Sequence, residues 1–190
     1  MKSITFSDVE NTDDLNEDIK AFSATVNISE AQSASNGGIR FELVLEYEGS
    51  NDIAIHNPLY FVQYVLKGSD ASKSFKGVKP PIPLINRKVP IDESTDLNFD
   101  ILRITKNGAD LNIKQQVNMP IVTFRKGDKQ LYYLQISKHS DEQTGKPEKI
   151  PEGTYHMELL LSVVQSDTTQ GDVQSRTFKV QEISVSFKKA

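Results

Sequence analysis

Ile39-Arg40-Phe41-Glu42-Leu43-Val44-Leu45-Glu46-Tyr47-Glu48 is the stretch that decides the fold. Every odd position is apolar, and the even positions carry Arg40, Glu42, Glu46 and Glu48, with Val44 the one exception. A period of two places successive side chains on opposite faces of an extended chain, so this is a half-buried strand with one wet face.

The same period recurs along the chain. Tyr155, Met157, Leu159, Leu161 and Val163 alternate with His156, Glu158, Leu160, Ser162 and Val164, whose far end is apolar on both faces. Near the C-terminus Phe178 and Val180 fall on even positions, whereas Ile183, Val185 and Phe187 fall on odd ones. One extra residue near Gln181-Glu182 restores the pattern, which predicts either a β-bulge there or two short strands meeting at a bend. Further strands are expected at 22–28, 53–55, 59–66, 99–105, 121–125 and 130–137, giving about eight to nine in all. Asn107-Gly108 suits a tight turn, and Lys126-Gly127-Asp128 reads as a hairpin loop between two apolar strands. The one helical expectation is a short turn within 12–21, capped by Asp13 or Asp14 and running through Leu15 and Ile19.

Between 68 and 96 the alternation lapses and Pro80, Pro81, Pro83 and Pro90 appear. Proline removes backbone donors, so this long insertion supplies at best an edge segment. Insertions of this length inside a compact domain are usually functional or disordered.

A chain of 190 residues divided in two would leave each half a meagre core, so residues 21–190 are expected as one domain. The formal net charge of −4 is concentrated at the start: 1–20 hold Lys2 and Lys20 against Asp8, Glu10, Asp13, Asp14, Glu17 and Asp18, and the rest balances at 20 basic and 20 acidic residues. The expectation is an acidic, solvated N-terminal arm on a neutral body, which argues against nucleic acid or an anionic membrane as the general partner. Without cysteine there is no disulfide, thiolate ligand or thiol nucleophile. Residues 1–10 lack the apolar core of a signal peptide, and no run approaches the roughly 20 apolar residues of a membrane span. Cytoplasmic is therefore the default, although a mature secreted chain reads the same.

Pro151-Glu152-Gly153-Thr154-Tyr155 leads straight into the long alternating strand, followed by a polar loop and a last strand. Over roughly the last forty residues this resembles the final hairpin of an immunoglobulin-like or fibronectin-type-III-like sandwich, where a turn with Pro and Gly precedes a strand opening with Tyr. The resemblance implies an all-β, antiparallel immunoglobulin-like β-sandwich with one long Pro-containing insertion. The cysteine pair and tryptophan of antibody domains are missing, and the superfold by itself specifies no function.

Residues with chemical potential are few. His56, His139 and His156 have neither metal spacing nor a triad signature around them and are expected at the surface. The acidic run 8–18 offers oxygen ligands, but Asp13 stands where the calcium loop requires glycine. No catalytic residue, metal ligand or cofactor is assigned. Tyr60, Tyr64, Tyr132 and Tyr133 are the available aromatic platforms for a glycan, and each sits within a strand pattern.

The run 59–66 is apolar on both parities, so one of its faces needs a cover. That cover is either the chain itself or a partner. The sequence thus leads to a non-catalytic protein-interaction or assembly module. Its expected contact residues are Tyr60, Val62 and Tyr64 on the sheet, with Phe75, Pro80, Pro81, Pro83 and Arg87 on the insertion, where the prolines suit an extended left-handed segment. The partner would be another protein or a second copy. Two other readings stand beside it: an extracellular-type module binding glycan or calcium, and an inhibitor or immunity-type protein acting through exposed loops.

Overall fold

The computed structural model describes residues 2–28, 38–68, 74–77, 97, 99–140, 144, 146–166 and 174–187. The chain is all-β and its sheets are antiparallel throughout. One sheet has six strands in the order β1 (Lys2–Thr5), β3 (Phe22–Ile28), β4 (Ile39–Tyr47), β11 (Lys129–Ile136), β8 (Asp100–Lys106) and β9 (Ala109–Asp110). The other has five, in the order β2 (Ser7–Asp8), β15 (Ser175–Phe187), β14 (Gly153–Val164), β6 (Val62–Gly68) and β7 (Ser74–Gly77). A two-stranded ladder of β5 (Ile53–His56) and β10 (Ile121–Phe124) joins the far end of β14 through an Ile55–Gln165 bridge. A small hairpin, β12 (Lys138–Ser140) with β13 (Pro147–Lys149), precedes β14.

The alternation maps onto burial as the period-two argument requires. Ile39, Phe41, Leu43, Leu45 and Tyr47 of β4 join Tyr155, Met157, Leu159, Leu161 and Val163 of β14 in one apolar cluster. Burying a large apolar side chain contributes roughly 1.5–3 kcal/mol, so these two rows dominate what holds the sheets together. The parity slip near the C-terminus is a bulge: Met157 pairs with Ile183 and Leu159 with Val180, so Gln181 and Glu182 face Glu158 alone. Asn107 and Gly108 both take positive φ, 52° and 83°, and close the turn between β8 and β9.

Four expectations are corrected. The acidic segment 1–20 is woven into the body, with β1 on one sheet, β2 on the other and Phe6 buried between them. Its charges obscured the short alternation of Ile4 and Phe6, which Asp8 continues by pairing with Arg176 at the surface. The helix near it, α1 (Glu17–Lys20), is capped by Asn16, whose side chain accepts from the Ile19 N–H at 2.9 Å. Neither Asp13 nor Asp14 serves, because Thr12 to Leu15 already closes a separate turn, Leu15 N–H to Thr12 carbonyl at 3.1 Å. Lys126-Gly127-Asp128 is a tight turn with Gly127 at φ 87°, but it links β10 to β11, which belong to different ladders, and is no hairpin. A second helix, α2 (Ile113–Val117), lies where none was expected.

Within the insertion 68–96 the described part includes β7, an edge strand paired to β6 with Phe75 opposite Leu66. Pro80, Pro81, Pro83 and Arg87 lie outside the described residues.

Candidate interaction surfaces

Asn57 organises the region expected to bind a partner. Its side-chain oxygen accepts from the Leu59 N–H at 3.1 Å, starting a 3-10 turn at Pro58–Phe61 that replaces the expected first residues of the strand. Its amide donates to the carbonyls of Gln116 and Met119 at 2.8 and 2.9 Å. The Tyr60 hydroxyl donates to the Val117 carbonyl at 2.9 Å. A helix leaves its last carbonyls without intrahelical partners, and these two side chains satisfy those of α2.

Tyr60, Val62 and Tyr64 are accordingly core residues, 7%, 8% and 0% exposed. The assignment of these three to a partner surface is corrected: the chain covers them itself. Burial pushes the Tyr64 hydroxyl pKa far up, and that hydroxyl donates to the Lys138 carbonyl, tying β6 to β12. The opposite parity of β6, Gln63 and Val65, faces outward.

On that outward face β14 contributes Leu160 and Val164. Leu160 lies opposite Gln63, one step diagonal to Val65, and Val65 lies opposite Glu158. Val65, Leu160 and Val164 are half-buried and stand outside the central apolar cluster. Polar residues stand among and beside them, Ser162 between Leu160 and Val164. Glu158 meets Lys179 at 3.1 Å and Lys67 at 3.8 Å, and the Ser162 and Thr177 hydroxyls are 3.0 Å apart.

The histidines divide. His156 is exposed on this outward face, as its alternation required. His139 is not a surface loop residue: it lies on β12, 8% exposed, opposite Glu148, with Nε2 3.9 Å from the carboxylate. The hairpin with β13 draws it in, and its flanking polar residues masked that.

Of the four tyrosines available to a sugar, Tyr60, Tyr64 and Tyr132 are buried and Tyr133 is half-exposed on the outer face of the six-stranded sheet. Tyr133 stands between Glu42 and Arg103 in cross-strand register. Beside it, Asn27 donates to Glu42 at 3.2 Å and Arg40 to Gln135 at 2.9 Å. Beneath, the Tyr132 hydroxyl and Gln130 Oε1 are buried with no hydrogen-bond partner among the described residues.

Among the described residues no group of three or more His, Asp or Glu is placed to hold a metal, and no helix is long and apolar enough to cross a membrane. Compared with protein-family models, with curated proteins and with solved structures, the chain matches none of them.

Proposed function

We propose that the chain is a non-catalytic interaction or assembly module that meets a protein partner, or a second copy, through the outer face of β6 and β14. The observation that carries this reading is the diagonal pair Val65 and Leu160, with Val164 further along β14 beyond Ser162, apolar on a face that an antiparallel sandwich normally leaves polar. The insertion borders this face through β7, whose residues 74–77 pair along β6. An immunoglobulin-like sandwich is the proposed architecture. The Tyr155 hydroxyl donates back to the Pro151 carbonyl at 2.9 Å, the kind of closure made by the tyrosine corner of that superfold, and this supports the reading.

The test is a chain carrying Val65→Lys and Leu160→Lys together, compared with the unaltered chain by sedimentation over a wide concentration range and by retention of copurifying protein. The proposal expects association by the unaltered chain and its loss in the folded double variant. A chain that is monomeric at every concentration and retains nothing, or a variant that associates as before, refutes it.

A glycan-binding reading is favoured by Tyr133, the half-exposed ring between an acid and a guanidinium. Thermal shifts over a glycan panel that vanish in Tyr133→Ala support that second reading, and a flat panel ends it.

A further inference from the structure

Residues 2–9 form one extended segment that changes sheets. Its first half runs antiparallel along β3, from Lys2 opposite Ile28 to Thr5 opposite Thr25, and the Phe6 N–H continues to the Ala24 carbonyl at 2.9 Å. Ser7 and Asp8 then lie opposite Lys179 and Phe178 of β15, and the Val9 N–H donates to the Thr177 carbonyl at 3.0 Å. Among the described residues both β1 and β2 are edge strands, so there the segment is held on one side while it bridges the two sheets.

Alternate side chains carry the recognition. Ile4 packs half-buried against the core and Phe6 is 6% exposed, while Ser3, Thr5, Ser7 and Asp8 are exposed, Asp8 with its carboxylate held by Arg176. Arg176 Nε and Nη2 donate to the two Asp8 carboxylate oxygens at 2.6 and 3.0 Å, a bidentate fork.

What makes this a receptor is that Arg176 is positioned without Asp8. Its Nη1 donates to the carbonyls of Phe22, Lys20 and Ile19 at 2.8, 2.9 and 3.3 Å, and its guanidinium lies 4.4 Å from the centre of the Phe178 ring. None of these contacts involves residues 2–9.

We infer that the neighbouring edges of β3 and β15, with Arg176 between them, form a receptor for an extended peptide of pattern apolar-x-Phe-x-Asp, filled here by the chain's own residues 2–9 and filled in trans by the same segment of a second copy. Strand addition at a sheet edge takes its affinity from main-chain bonds and its selectivity from alternate side chains. An identical segment from another copy restores every one of these contacts, the relationship on which strand exchange rests. The receptor shares β15 with the border of the β6–β14 face, Leu160 lying opposite Lys179, but it includes neither Val65 nor Leu160, and the peptide below probes it alone.

The experiment uses the full chain with Asp8→Asn, which loosens the resident segment, and a fluorescent peptide of sequence Lys-Ser-Ile-Thr-Phe-Ser-Asp-Val-Glu. The folded variant is expected to bind the peptide at least ten-fold more tightly than the unaltered chain, and not to bind a peptide carrying Phe6→Ser. Failure to bind, or equal binding of both peptides, overturns the inference. Should the variant not fold, hydrogen exchange in the unaltered chain decides. The Phe6 and Val9 amides exchanging at least a hundred-fold faster than the β3–β4 ladder supports it, and exchange at the ladder's own rate overturns it.

Discussion

The Tyr60 hydroxyl reaches the Val117 carbonyl, 57 residues on, at 2.9 Å, and so joins the start of β6 to the end of α2. Phe at position 60 keeps the ring and leaves a buried carbonyl short of a donor, which costs roughly 1 to 3 kcal/mol. Tyr60→Phe is therefore expected to lower the denaturant midpoint by that amount with an unchanged slope. An unaltered midpoint denies the hydroxyl its capping role.

Asp128 contributes to acid sensitivity. Burial alone raises its pKa, but the Asn107 amide, the Arg125 backbone N–H and the Lys106 ammonium together hold it below the ordinary carboxylate value. A depressed folded pKa contributes stability above the unfolded value and loses it as pH falls through the folded one. The stability gap between the unaltered chain and Asp128→Asn should thus be constant above about pH 5 and close progressively below about pH 4. Chemical denaturation at a series of pH values reads it, and a gap that widens towards acid contradicts the assignment.

At the alkaline end, Tyr47 is pushed up to about 12, first by burial and then by the charge and hydrogen bond of Asp18 and the charge of Asp52. Tyr64, Tyr132 and Tyr155 are raised by burial as well. A raised phenol pKa contributes stability below the unfolded value near 10 and loses it as pH climbs through the folded value. Spectrophotometric titration of the native chain should leave Tyr47, Tyr64 and Tyr132 protonated at about pH 10, with Tyr155 ionising above a free phenol, followed by cooperative ionisation on unfolding. Half-ionisation of all tyrosines at about pH 10 in the folded chain contradicts it.

The strands were legible because their signal is local. Residues 39–47 and 155–163 each alternate long enough to name an inward face, and a slip of one between Val180 and Ile183 has few meanings other than a bulge. Asn107-Gly108 was legible for a steric reason, since few other pairs accept two positive φ angles. The α2 helix left a trace in Asn112 and Gln115, a cap and the residue three beyond it, but five residues are too few for a helical period to show.

The interaction surface was half legible. In 59–66 both parities are apolar, so alternation names two faces without saying which is inward; that is decided by Asn57 and α2, which are distant in sequence. Leu160 and Val164, at the end of β14 that is apolar on both parities, lie on the outer face. The clamp of Asp8 by Arg176 left no trace, because partners 168 residues apart share no local pattern.

Neighbouring residues on β6 provide the most direct test: the unfolding free energies of Tyr64→Ala and Val65→Ala. Tyr64 is fully buried and Val65 faces outward, so the first substitution is expected to cost roughly 3 to 5 kcal/mol and the second under about 1 kcal/mol. Equal costs, or a larger cost at Val65, would place the opposite face of β6 in the core and contradict both the packing and the surface assigned to partners.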